Sequence, residues 1–148
     1  MTESEECAIC AKHRGEGPLV GELVVEDEHL LAFHAPASAE KPAYLGYLFV
    51  ETRRHVGKLG DLTDEEAAGL GRLAARLSSA LVRVGGGEHV YAAVIGDRSA
   101  HLHLHLVPRY PGAPDEYRWT RVEEWPDAPR GDVEEVRRYC IRLREALR

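Results

Sequence analysis

The stretch HLHLHLVPR, His101 to Arg109, constrains this chain more than any other part of it. Successive side chains of a β-strand point to opposite faces. As a strand, the stretch sets His101, His103 and His105 on one face and Leu102, Leu104 and Leu106 on the other. The leucine face belongs against a core. The histidine face lines something polar: solvent, a metal or a substrate.

Those three environments are three different proteins. A solvent-facing edge would carry the histidines to no purpose, and no other strand-like segment here is decorated this way. A catalytic metal site is the second reading, since His-x-His pairs on strands do bind metals. Yet His101 and His105 lie roughly 13 Å apart along a straight strand at about 3.3 Å per residue. That separation points to separate jobs. In the third reading one imidazole is a nucleophile. Neutral imidazole is available near pH 7 and can attack phosphorus, and the resulting P–N bond is labile enough for water to finish the reaction.

The remaining sequence sets limits on all three. The 148 residues suit a single domain, 1–148, with a real core. No apolar run reaches membrane-spanning length, and MTESEECAIC lacks the basic-then-apolar pattern of a secretory signal, so a cytoplasmic location is expected. Net charge is −6 with no basic block, which argues against a nucleic acid polymer as partner but not against a small phosphate ligand. Three cysteines, Cys7, Cys10 and Cys140, do not suggest a disulfide framework. Cys7 and Cys10 form a C-x-x-C pair, which serves either a metal or redox chemistry.

Leu19–Val25 and Leu30–His34 read as a hairpin about the turn Glu26-Asp27-Glu28, and Tyr44–Glu51 as a third strand. Asp61–Val84 reads as a long helix: Thr63 and Glu66 have capping-box spacing, Leu70, Leu73, Ala74, Leu77 and Leu81 mark one face, and Gly85-Gly86-Gly87 ends it. Val90–Ile95 and His101–Val107 read as strands joined by the tight loop Gly96–Ala100. Pro111–Arg130, with four prolines and two tryptophans, reads as ordered surface loop in which Trp119 and Trp125 pack. Asp132 and Glu135 cap a last helix with Val133, Val136, Cys140, Leu143 and Leu147 as its buried stripe. Hairpin-like neighbours with helices on one face make an α+β domain with an antiparallel sheet.

HLHLHLV matches the pattern His-φ-His-φ-His-φ-φ, where φ is apolar. With Pro108-Arg109, with CAIC, EDEHLLAFH and YLGYLFVETRRHV, and with the long helix, all in matching order, the chain resembles the histidine triad family from Cys7 to Arg109. It looks most like bacterial diadenosine polyphosphate hydrolase-like members. The resemblance implies a sheet of about five strands with one long and one C-terminal helix. It also implies a homodimer joined through the helix and a strand, with the Leu70–Leu81 stripe as a candidate surface. It makes His103 the nucleophile that attacks the α-phosphorus of a nucleotide derivative. His105 would contact phosphate or leaving group, and His101 would orient its neighbour or ligate a metal. Many bacterial members resemble galactose-1-phosphate uridylyltransferase in having a structural zinc, and the matching positions here are Cys7, Cys10, His55 and His101, with residues 1–15 as the zinc-binding segment. Two thiolates and two imidazoles make a closed tetrahedral site, structural rather than catalytic.

Two departures bear on substrate. Many nucleotide-binding members carry an Asp that grips both ribose hydroxyls, where this chain reads Phe33-His34-Ala35. The usual Gly-Gln-Ser/Thr loop is replaced by Gly96-Asp97-Arg98-Ser99-Ala100. Arg98 can clamp phosphate, Ser99 supplies a hydroxyl one residue out of register, His34 faces the expected pocket, and Arg109 either binds phosphate or pairs with an acid. His13, His29 and His89 read as surface residues. The expected function is thus a hydrolase or nucleotidyl transferase acting on a small nucleotide. A zinc-stabilised nucleotide-binding module with little catalysis and a His-ligated metalloenzyme are the alternatives.

Overall fold

In a computed structural model, which describes residues 6–148 apart from the Thr120 side chain, seven strands and three α-helices make an α+β fold. In chain order these are α1 (Ala8–His13), β1 (Leu23–Glu26), β2 (Leu30–His34), β3 (Ala43–Tyr44), β4 (Leu48–Thr52), α2 (Asp64–Arg83), β5 (His89–Val94), β6 (His103–Arg109), β7 (Arg130–Gly131) and α3 (Val133–Ala146). The main sheet has five strands in the order β1-β2-β4-β6-β5. All its pairings are antiparallel.

Local chemistry explains most of these boundaries. The β1–β2 turn forms because the Asp27 carboxylate accepts the backbone N–H of both His29 and Leu30 at 2.9 Å. Helix α2 begins at the Thr63–Glu66 capping box, with both reciprocal bonds present. Arg54 ties that helix end to the end of β4 through Glu66 at 2.6 Å. Asp132 caps α3 by accepting the Glu135 N–H.

The leucine face behaves as expected. Leu30, Leu48, Val50 and Leu106 are fully buried, against Leu77 and Leu81 of α2 and Cys140 and Leu143 of α3. Burying a leucine is worth about 1.5–3 kcal/mol, so this layer carries much of the folding energy. The Leu70–Leu81 stripe is spent here: Leu70, Leu73, Leu77 and Leu81 are all buried in the core, which removes the stripe as a dimer surface.

Three expectations need correction. The third strand is broken at Leu45–Tyr47, because Gly46 takes φ +87° and a Cβ there would meet Tyr139 Oη at 2.6 Å and Pro108 Cγ at 2.7 Å. Residues 111–130 are not all loop: Trp119–Glu124 forms a 3₁₀ helix and Arg130–Gly131 pairs with β3. Trp119 does not pack inward; it is 72% exposed and stacks on Tyr91 with ring centroids 6.0 Å apart.

Candidate active site and metal centre

The opposite face of the sheet is a grid of site residues set by register. Glu51 on β4 pairs with His103 on β6, and Phe49 pairs with His105. On β2, Leu31 lies beside Glu51 and Phe33 beside Phe49. Helix α1 lies over this grid.

The three triad histidines occupy three environments. His101 precedes β6 and is fully buried. Its Nε2–H donates to the Thr52 carbonyl at 2.6 Å, so its Nδ1 lone pair faces the cysteines. That Nδ1 lies 3.6 Å from Cys7 Sγ and 3.4 Å from Cys10 Sγ, and His55 Nδ1 is 3.4 Å from Cys10 Sγ. The four donor atoms of Cys7, Cys10, His55 and His101 all lie within 4.8 Å of one another, and they are the one such group of metal-ligating side chains among the described residues. A tetrahedral zinc, with Zn–S about 2.3 Å and Zn–N about 2.0–2.1 Å, needs S···N edges of about 3.6 Å. The set therefore fits zinc in donor chemistry, spacing and imidazole tautomer, and Thr52 is the outer partner that orients His101. Burial, reinforced by the neighbouring Cys7, pushes the Cys10 thiol up to about 11; a cation's charge is what would favour its thiolate.

His103 is half-buried. Its Nδ1–H donates to the His101 carbonyl at 2.8 Å, because a carbonyl can only accept. Its Nε2 is left with a free lone pair. His105 lies beside it, ring centroids 4.9 Å apart, with Nδ1 at 2.8 Å from Tyr47 Oη. Its Nε2 is buried and, among the described residues, has no hydrogen-bond partner. Burial first, and the His103 charge second, push the His105 imidazole down to about 4, so it is neutral at ordinary pH. Burial holds the Tyr47 phenol up at about 12, so it keeps its proton. A cavity of about 300 Å³ opens in front of His103, lined by Lys12, Phe49, Glu51, Arg98 and Ser99 among others. His103 and His105 stand outside the cysteine–histidine group, which removes the geometric basis for reading the triad as one set of catalytic metal ligands.

Arg98 and Ser99 line the cavity. His34 does not: it is fully buried, with Nδ1–H donating to the Ala35 carbonyl at 2.8 Å and Nε2 accepting the Gly46 N–H at 2.9 Å. It pairs with Leu48 on the core face, so strand alternation itself could have excluded it. Arg109 is also structural. Its guanidinium donates to the carbonyls of Tyr117 at 2.6 Å and Ala113 at 2.5 Å, and it lies 3.6 Å from Glu88. His13 is no surface residue: its ring stacks on Phe33 and its Nε2 meets Glu51 Oε1 at 2.9 Å. Sequence reasoning passed over Lys12, Glu51 and Tyr47. The signal was present in YLFVET, where Tyr47, Phe49 and Glu51 alternate with the buried Leu48 and Val50.

The HIT domain matches residues 19–112. An uncharacterized HIT-like protein of Methanocaldococcus jannaschii is 26% identical over 121 residues, covering 79% of this chain and 89% of that protein. Among solved structures, a Zn-bound histidine triad family protein from Mycobacterium smegmatis superposes with a TM-score of 0.68 at 22% identity, covering 97% of this chain and 94% of the other. A hypothetical histidine triad nucleotide-binding protein from Sulfolobus tokodaii gives a TM-score of 0.65 at 19% identity, covering 95% and 91%. The two structures establish the shared fold; the domain match, over more than half the chain and across the triad strand itself, makes this protein a member of the histidine triad family.

Proposed function

We propose that this chain is a nucleotide hydrolase or nucleotidyl transferase that works through a covalent nucleotidyl-histidine on His103. The observation that carries the reading is the 2.8 Å bond from His103 Nδ1–H to the His101 carbonyl, which leaves Nε2 as the nucleophilic atom. In the first step the Nε2 lone pair attacks the α-phosphorus of the nucleotide. The Nε2–P bond forms, the bond from phosphorus to the leaving group breaks, and the leaving group departs with its electron pair. The ring becomes cationic, and the His101 carbonyl takes up part of that charge through Nδ1–H. In the second step water attacks the same phosphorus, the Nε2–P bond breaks with its electrons returning to the ring, and the water proton passes to solvent. The product is a nucleoside monophosphate; an acceptor alcohol in place of water makes the same step a transfer.

His105 supplies a hydrogen bond in this scheme, not a proton. With the Tyr47 hydroxyl as donor to His105 Nδ1, the His105 proton sits on Nε2, which is buried and unpartnered among the described residues, a donor held in reserve for a phosphate oxygen. A neutral donor suits a leaving group that is stable as an anion, which favours phosphoanhydride substrates over phosphoramidates. Arg98 and Ser99 add donors at the cavity wall. Zinc on Cys7, Cys10, His55 and His101 would supply structural cross-linking, pinning α1 to the residue before the nucleophile's strand. The solvent-facing outer strand β5, with Val94 and Ile95 exposed, is the edge through which a homodimer would continue the sheet.

The test is AMP release from diadenosine tetraphosphate, an adenosine phosphoramidate and adenosine phosphosulfate, with chelator present. Turnover is expected for wild type and lost in His103→Ala. Equal turnover in both would sink the mechanism. Nucleotide binding without turnover in wild type would favour the binding-module reading, which the Ala35 and Asp97-Arg98 departures motivate.

A further inference from the structure

A buried Lys12–Glu51 ion pair, with His13 hydrogen-bonded to the same carboxylate, stands at the cavity in front of His103. The Glu51 side chain is 1% exposed; its Oε2 meets Lys12 Nζ at 2.5 Å and its Oε1 meets His13 Nε2 at 2.9 Å. The Lys12 side chain is 4% exposed. Its ammonium lies 4.7 Å from the Phe33 ring centroid and 5.2 Å from that of Phe49. Burying a lysine and a glutamate together costs several kcal/mol of hydration per ion, and well-packed apolar residues often serve stability as well. The pair is a poor choice for stability alone. Its place is informative: Glu51 sits opposite His103 in the β4–β6 ladder, and both Lys12 and Glu51 line the cavity.

An ammonium has three donors. Glu51 engages Lys12 from one side, the aromatic faces of Phe33 and Phe49 hold it without consuming a donor, and Lys12 makes no other hydrogen bond among the described residues. Phosphoryl chemistry at His103 needs cationic donors that are already in place when charge develops on the phosphate oxygens. We infer that Lys12 is a substrate-binding residue that holds phosphate negative charge in the cavity, with Glu51 as the positioning residue that fixes its ammonium. The inference rests on the nucleotide reading above and names the recognised group within it: the phosphate, rather than the base or ribose.

The experiment is calorimetric titration of AMP and of adenosine into wild type, Lys12→Met, Lys12→Arg and the double variant Lys12→Met/Glu51→Gln. The double variant leaves no unpaired carboxylate in the interior, so it guards against a Lys12→Met chain that fails to fold. Zinc content and melting temperature are read for each variant, because Lys12 shares a helix with Cys10. Removing a charge-assisted hydrogen bond is expected to weaken AMP binding by roughly tenfold to a hundredfold. Adenosine binding should stay unchanged, Lys12→Arg should recover part of the loss, and wild-type AMP affinity should fall with added salt. AMP affinity within about twofold of wild type in a folded double variant would overturn the role of Lys12, since that is far below the loss of one charged hydrogen bond. An equal loss for adenosine and AMP would overturn it too, marking a shape effect. If wild type bound no AMP at all, the nucleotide reading would fall first and take this inference with it.

Discussion

The cysteine–histidine corner and the cavity in front of His103 meet on one strand, yet they use their imidazoles in opposite ways. At the corner, His101 commits one ring nitrogen to the Thr52 carbonyl and turns the other toward two thiols, with no side-chain exposure. At the cavity, His103 and, packed behind it, His105 each commit one nitrogen, to the His101 carbonyl and to Tyr47, and leave the other without a partner among the described residues. A site that holds the fold together saturates its polar atoms. A site of the kind proposed for His103 keeps valence in reserve, and stores the cost in the surrounding packing. The contrast is sharper because the carbonyl that orients the His103 ring belongs to the residue that closes the corner.

Removing the free nitrogen should have the largest effect. His103→Ala is expected to lower turnover of a diadenosine polyphosphate by at least about a thousandfold, the scale seen when a covalent nucleophile is lost. Steady-state AMP release measures it, and the melting temperature should hardly move. The corner should show the reverse pattern. Cys10→Ser is expected to lose zinc and several kcal/mol of stability, a fall in Tm of roughly 10 °C or more for a chain of this size. Metal analysis with thermal unfolding checks this, and wild type assayed promptly in chelator should still turn over.

Smaller effects test finer parts of the contrast. Tyr47→Phe removes the partner of His105 and should cost about tenfold in turnover, the worth of one buried hydrogen bond. Acid should separate the regions further. The folded His105 pKa, about 4, lies below its ordinary 6.5, so the unfolded chain binds more protons between those values. Stability gained from keeping His105 neutral is present above about pH 6.5 and lost as pH falls toward 4. Burial likewise lowers His34, which adds to the slope. Urea unfolding across that range should show a shallower pH dependence for His105→Asn than for wild type. Least of all, Trp119→Ala should cost under about 1 kcal/mol, because its stacking on Tyr91 is mostly exposed.

Periodicity and local capping made much of this arrangement legible in the sequence. The alternation of His101–Leu106 gave the two faces, Thr63–Glu66 and Asp132–Glu135 gave the helix starts, and the spacing of Cys7, Cys10, His55 and His101 within the family pattern gave the corner. What escaped depends on contacts between distant segments. Lys12 and Glu51 are 39 residues apart, and nothing local in CAKH announces that its cation ends beside a carboxylate on β4. The break at Gly46 follows from Tyr139 and Pro108 crowding one backbone position, which no strand propensity records. His34 is a different case: it keeps step with Leu30 and Ala32, both buried on the core side, so its place was legible in the strand alternation itself.

The pairing of Glu51 with His103 and of Val50 with Leu104 has a consequence for how reliably the chain finds its native state. A slip of β6 by one residue would drive His103 and His105 into the apolar layer and turn Leu104 and Leu106 out to water. The two leucines alone would forfeit roughly 3–6 kcal/mol, at about 1.5–3 each. That is a large part of the entire stability of an ordinary domain, about 5–15 kcal/mol. The strand that carries the histidines thus proofreads its own assembly. A mispaired sheet is disfavoured during folding, so molecules that reach the folded state present His103 on the cavity side.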